Sequence, residues 1–524
     1  MSLESVAAPP AVIRRTADAT TFPPWVVGVL VLGAILLGVA SLIDDKSLML
    51  VAGGLTALVG GATIFYRPHV GVLVILSTML LSYPEVLKGV PPFTINNMLG
   101  GVLLVILVLQ LYRSRDYWFL RQPEVRLLIF LTLWLILIAW LSELYLPEKR
   151  LLPSIARRGV EGKSYGEADD TGRWIFELLS RLAFVIFFLN WMTTPTRVRW
   201  ALWLFALCIA AAVPTLGPDM TKGENEYRIT SKAVGWAVNL NRFAFMMNVG
   251  VALFLYLAGR TRALAGRLFF ILCALGSIPL ILLSASRSGF IGLGMVGLFS
   301  LGVAPVPRRW KGGVALAGLA LTLLAFQFVL ADAARERLLN INPFAPQASA
   351  DYSAYAEGSR STEVRMTTLA EAFEIIARYP LTGVGLANFR WVNAIMHESY
   401  KPPHNSYVWA AAEGGLPALF AYLALFALLW GRISRMRPHF EDHPILAGLP
   451  DWLRIYLILL LFFSMFADVW IEVHVYLIAA IAITLSRIAE DEYLRTRGLP
   501  GAQGGTAGAR RASARALYRQ DAAS

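Results

Sequence analysis

Arg287 stands in LLSASRSGFIG, a polar break between two apolar runs. A guanidinium held at such a membrane position costs on the order of 3 kcal/mol unless it snorkels or meets an anion. Arg242, in AVNLNRFAFMMN, opens another apolar run, and Arg360 and Arg365 follow in EGSRSTEVRMTTL. The planar fork of arginine donates paired hydrogen bonds to phosphate oxygens and keeps its charge at any relevant pH. A set of such residues on one membrane face suits a diphosphate, and it can hold that group without a metal. His404, in YKPPHNSYVWAAAEGG, is reached through Pro402 and Pro403, so a stiffened loop delivers its imidazole. An imidazole with an ordinary pKa near ~6.5 can take a proton from a hydroxyl or orient it. Asn405 or Ser406 can cap the next helix, and Glu413, about two turns in, can pair with an arginine or accept from a hydroxyl.

Each of these residues also has a plainer use. A lone membrane arginine snorkels at a helix end, Arg360 and Arg365 can belong to a solvated helix face, and a loop histidine can be solvated. Glu413 can satisfy a buried polar neighbour. Glu177 and Arg181 form an i,i+4 pair within an apolar run, and Asp468, Glu472 and His474 share one turn; charges in such places pair internally for structure or line a path. Cys208 and Cys273 lie in LFALCIAAA and FILCALGS and read as small buried hydrophobes. No phosphate loop, dinucleotide fingerprint, zinc pattern or nucleophile elbow occurs, and the GVG at Gly383–Gly385 reads as a turn. Neither a cofactor nor a metal is expected.

The elements that position these residues follow from composition. The chain of 524 residues is 57% apolar, 12% aromatic and only 16% charged, more than a soluble core needs, so the bilayer is its solvent. Runs of roughly 20 apolar residues, the length that crosses ~30 Å of hydrocarbon, occur about fourteen times between Trp25 and Ile488. The 47 Lys and Arg against 35 Asp and Glu, a net charge of +12, speak to orientation rather than to nucleic acid. Basic loops containing Arg113, Arg121, Arg126, Arg197, Arg260, Arg308, Arg432 and Arg437 alternate with loops lacking that excess. The basic side is read as cytoplasmic, and both termini fall on it. The start lacks the order of a secretory signal, so the first helix is expected to stay.

The resulting expectation is an all-α polytopic membrane protein, N-in and C-in. It has a cytoplasmic segment 1–24, eleven transmembrane helices over 25–331 and a large periplasmic loop over 332–405. Three more helices span 406–488, and a disordered cytoplasmic tail covers 489–524. The loop of about 70 residues exceeds the usual connection length enough to suggest function. Within it, Ser361 is placed to cap a helix that runs through Arg378, with Leu369, Phe373 and Ile376 on its covered face and Pro380 as its stop.

Four segments taken in order resemble the O-antigen ligase and polymerase superfamily. They are SRSG at Ser286–Gly289, STEVR ending at Arg365, PLTGVGLANF at Pro380–Phe389 and PHNSYVWAAAEGGLPAL at Pro403–Leu419. The resemblance covers about residues 239–419. It implies a metal-independent, inverting glycosyltransferase embedded in the bacterial inner membrane, acting on the periplasmic side with an undecaprenyl-diphosphate-linked glycan as donor. By the same resemblance, Arg287 and Arg365 correspond to arginines on the donor diphosphate and His404 to the histidine near the acceptor. Arg242 corresponds less closely; Arg360, Asn405 and Glu413 stand in supporting positions. The acceptor is another glycan, as in a polymerase of O-antigen or exopolysaccharide repeats, or lipid A-core, as in a ligase. The surplus of helices favours the polymerase, and a protein-directed transferase is a third member of the class. Membrane lipids and other polysaccharide assembly proteins are the expected partners, and no nucleic acid. The rival from another class is a solute transporter, with Glu177, Arg181 and Asp468 lining a path through inverted repeats and broken helices.

Overall fold

The computed structural model describes residues 63–81, 95–146, 171–211, 240–303 and 353–496, with Gly61 and scattered positions within 316–328. The chain divides into two compact units, 1–68 and 69–524. Of the first unit only residues close to its end are described, and the architecture is that of the second. The expected N-terminal segment, the first spans and the tail from 497 on lie outside the described residues.

The second unit is helical, with no strand among the described residues. Its helices are α1 (Pro68–Leu80), α2 (Ile95–Ser114), α3 (Pro123–Tyr145), α4 (Thr171–Trp191), α5 (Pro195–Ala210), α6 (Leu240–Arg260) and α7 (Leu264–Leu283). After them come α8 (Arg287–Val303), α9 (Ser353–Arg378), α10 (Phe389–His397), α11 (Ser406–Met436), α12 (Leu449–Phe463) and α13 (Val473–Thr496). Seven of them, α2, α3, α4, α6, α7, α11 and α13, are long and apolar enough to cross a membrane. The others expected as spans are either shorter, as α1, α5, α8 and α12 are, or fall outside the described residues.

Apolar residues surround these helices rather than forming one stripe, so the protein has an apolar outside as well as a core. On α3, Leu128, Leu131, Leu135 and Ile138 are buried, while Leu133, Leu137, Trp140 and Leu144 of the opposite face are exposed. A helix that is hydrophobic all round needs either protein or lipid on every side. Here protein covers one side and lipid the other; the chain is a multi-pass helical membrane protein. Helices α6 and α13 are buried almost all round and form the centre, where Phe205, Phe245, Tyr456 and His474 pack together. The Tyr456 hydroxyl and His474 Nδ1 lie 2.5 Å apart, which makes His474 a core residue.

The stretch before His404 is folded, as expected, but with a different start. Helix α9 begins at Ser353, so Ser361 lies inside the helix and does not cap it. Its buried side is Thr368, Ala372 and Ile375, while Phe373 is 55% exposed. The covered stripe is therefore rotated by one residue from the Leu369–Phe373–Ile376 stripe, on a helix that packs against α11. The stop is as expected, with α9 ending at Arg378 ahead of Pro380. Helix α13 continues to Thr496, past the boundary expected near 488.

Candidate active site

Residues 464–472, between α12 and α13, gather the site. A short hairpin leaves many backbone carbonyls unpaired, and here side chains from other helices take them. Ser406, at the start of α11, donates its amide to Ser464 O (2.7 Å) and its hydroxyl to Ala467 O (2.6 Å), and its Oγ accepts from Val469 N (2.8 Å). Asn241 Nδ2 donates to Phe466 O at 3.1 Å. Arg242 donates to Asp468 O at 2.6 Å, and Arg181 to Ile471 O. Helices α4, α6 and α11 are thus tied to a single loop, α6 and α11 at their first turns and α4 at its middle.

The loop returns its own carboxylates. Glu472 lies 2.9 Å from Arg242 and 3.6 Å from Arg181, and Arg181 also pairs with Glu177 at 2.8 Å, the expected i,i+4 contact. Asp468 Oδ2 lies 3.2 Å from His404 Nδ1. The Asp468 side chain is only 7% exposed against 28% for His404, so the carboxylate backs the imidazole from the protein side. Asp468 Oδ1 is buried and has no hydrogen-bond partner among the described residues. No described residue takes His404 Nε2. A buried carboxylate that fixes one imidazole nitrogen leaves the other to exchange a proton with whatever occupies the exposed side.

His404 is held with φ +49, and Ala387 (φ +65) and Ala285 (φ +48) share this left-handed conformation. Residues other than glycine adopt it at a cost of order 1–3 kcal/mol, and it persists where surrounding contacts over-determine it. His404 and Ala387 lie within segments that carry the resemblance, and Ala285 lies next to one. Ala285 precedes SRSG. There Ser286 Oγ accepts from Gly289 N and donates to Asn241 Oδ1 at 2.7 Å, which sets Arg287 at the head of α8 beside the first turn of α6 that carries Arg242.

The GVG turn docks on a break in α11. Pro417 has no amide to give the carbonyl of Glu413, so Gly385 N donates there at 2.9 Å. Leu416 N is drawn to Pro380 O (2.8 Å), and Val384 N replaces it on Ala412 O (2.8 Å). Trp134 of α3 takes Gly414 O at 2.7 Å. Gly415 breaks the helix at φ +71, and Gly383, at φ +62, lies so close that a Cβ there would stand 2.5 Å from Glu413 C.

The expected residues divide accordingly. His404 and Arg242 meet at the 464–472 loop, and Arg287 adjoins the Ser286 that bonds Asn241, the neighbour of Arg242. Arg365 lies half-buried on α9. Arg360 is in the same helix, but its side chain is outside the described residues. Asn405 is the cap of α11, accepting from Tyr407 N and Val408 N, and Ser406 is the staple to the loop. Glu413 is buried, with Phe389 N donating to it at 3.4 Å. The sequence pattern marks Asp468, Glu472 and Arg181 as internal charges and joins none of them to His404. The available signal is position: Asp468 ends an apolar hairpin on the side where His404 begins one.

No curated protein matches the chain. Residues 269–423 match the family model of O-antigen ligase. The matched stretch contains Arg287, Arg365, His404 and Glu413; Arg181, Arg242, Asp468 and Glu472 lie beyond it. Over that stretch the chain is similar to the O-antigen ligase family, which supports the resemblance to the O-antigen ligase and polymerase superfamily.

Proposed function

We propose that the protein transfers an undecaprenyl-diphosphate-linked glycan to an acceptor hydroxyl on the periplasmic face of the inner membrane, as a polymerase of O-antigen or exopolysaccharide repeats. The observation that carries the reading is the His404–Asp468 contact at the end of the bundle where Arg242 and Arg287 stand. His404 Nε2 takes the proton of the acceptor hydroxyl as its oxygen attacks the anomeric carbon from the face opposite the diphosphate. The new C–O bond forms, the bond to the diphosphate oxygen breaks, and undecaprenyl diphosphate leaves with the electron pair. Asp468 keeps the imidazole in the tautomer that accepts at Nε2 and stabilises the imidazolium. Arg287 and Arg365, with Arg242, stabilise charge on the departing diphosphate, which needs no metal.

The test is turnover of lipid-linked glycan by purified His404→Ala and Asp468→Asn, with donor binding measured in parallel. General-base roles contribute a factor of ~10² to 10⁴, so both variants are expected to lose rate on that scale while binding donor as wild type does. Normal turnover in His404→Ala, or donor binding lost as badly as in Arg287→Ala, removes the histidine from this role. In cells, a deletion strain that keeps single repeats attached but loses long chains indicates the polymerase; unattached long chains indicate a ligase.

A further inference from the structure

A cleft lined from α4, α11 and the 464–472 loop has no part in the steps above. It is lined by Trp174, Ala387, Arg390, Trp409, Glu413 and Ile471, and with its open mouth it spans about 240 Å³. Its enclosed part is narrow, with room for about one water-sized group. Its walls come from the elements that build the active site. Trp174 is on α4, two turns ahead of Arg181. Trp409 stands in the first turn of α11, five residues after His404. The carbonyl of Ile471 is the one that Arg181 holds.

The lining chemistry selects a ligand class. Only Ile471 and Ala387 are aliphatic, so a lipid chain finds little to bury against. The Trp174 indole is partly exposed at the mouth, whereas Trp409 is buried, with the Arg390 guanidinium 5.6 Å from the centre of its ring. Glu413 sits at the base, where the Phe389 amide donates to its Oε1 at 3.4 Å, and the Trp409 indole N–H is buried with no hydrogen-bond partner among the described residues. The lining carries one guanidinium and one carboxyl group, so it offers both donors and acceptors. A partly exposed indole with convergent donors and acceptors behind it matches a neutral pyranose, whose ring offers C–H faces and whose hydroxyls both donate and accept.

We propose that this cleft is a sugar subsite, in which the ring of a neutral pyranose lies across the mouth against Trp174 and one hydroxyl or hydroxymethyl group enters toward Arg390 and Glu413. The assignment rests on the glycan-transfer reading for its biological meaning and on the cleft for its geometry. The sugar belongs either to the donor glycan or to the acceptor glycan, and kinetics separate the two.

Purified full-length protein in lipid nanodiscs, titrated by saturation-transfer NMR with the methyl glycosides of glucose, N-acetylglucosamine and glucuronic acid, tests the subsite. The neutral glycosides are expected to bind saturably and the glucuronide more weakly. Trp174→Ala is expected to weaken neutral binding by roughly tenfold and Trp174→Phe to restore most of it. Glu413→Gln removes the acidic group of the lining and is expected to shift preference toward the glucuronide, which a purely structural role would not do. Trp174 and Arg390 are partly exposed, so Trp174→Ala and Arg390→Gln decide the matter even if the buried Glu413 variant misfolds. No saturable binding to wild type, or binding unchanged in both Trp174→Ala and Arg390→Gln, overturns the subsite.

In turnover assays a raised KM for the lipid-linked donor in Trp174→Ala assigns the sugar to the donor, and a raised KM for the acceptor assigns it to the acceptor. If neither moves, the proposal fails. Glycoside binding needs no diphosphate and is expected to survive in His404→Ala. Binding without any turnover by wild type would therefore sink the transfer reading alone, and turnover without glycoside binding would sink the subsite alone.

Discussion

Opposite ends of α11 hold their charges in opposite ways. Near its last turn, Arg432 donates to both oxygens of Glu124 at 2.7 Å, to Gln122 Oε1 at 3.0 Å and to Ser486 Oγ at 2.7 Å, which joins α11, α3 and α13. Arg487 likewise donates to Leu189 O and lies over the Trp118 ring. This basic end is closed: the Arg432 fork meets four protein acceptors, and Glu124 is entirely buried. Ahead of the first turn of α11, Asp468 meets His404 through one oxygen only, and the imidazole keeps one nitrogen for the exposed side. The same residue types serve structure where every donor has a protein partner, and they are available for chemistry where one is left over.

Replacing an arginine at each end tests this contrast most severely. Arg287→Lys keeps the charge and loses the planar fork, so glycan transfer should fall by ~10² or more with membrane levels unchanged. Arg432→Ala should instead leave Glu124 buried without its partner and lower stability by about 3–5 kcal/mol, with Arg432→Lys recovering only part. Thermal unfolding in detergent beside turnover per folded molecule separates the two. A stability loss for Arg287→Lys, or an activity loss without one for Arg432→Ala, would erase the distinction.

The break in α11 offers a smaller effect. Gly383→Ala places a Cβ against the Glu413 backbone in a left-handed conformation, so a loss of about 1–3 kcal/mol is expected, and with it the seat of the 383–389 turn. Trp409 environment, read by fluorescence with wild type as reference, should change together with stability. An unchanged melting curve would show that the turn does not depend on this contact. Smallest is the cap: Asn405→Ala should cost about 1 kcal/mol and Asn405→Asp much less, by the same melting measurement. If the two variants lose equally, Asn405 contributes something other than its side-chain oxygen.

The break also bears on the rival transporter reading. Unwound helices in transporters present free carbonyls to ions. In α11 the carbonyls of Ala412, Glu413 and Gly414 accept from Val384, Gly385 and Trp134, which leaves that device closed.

Apolar run lengths and the low charged fraction were enough to make this chain a helical membrane protein, because a bilayer imposes length and composition on each span separately. Local chemistry was equally legible where it depended on neighbours in sequence: the Asn405 cap, the turn at Gly383–Gly385, the end of α9 before Pro380, and the Glu177–Arg181 pair. The start of α9 and its buried face were not, since both depend on which helix packs against it. Nor was the partnership of His404 with Asp468, 64 positions apart in the chain, nor that of Arg242 and Arg181 with Glu472. Periodicity says that a charge lies near a helix end, but it carries no information on which other helix ends there. That was decided by the 464–472 hairpin, whose unpaired carbonyls had to find donors and drew α4, α6 and α11 together around it.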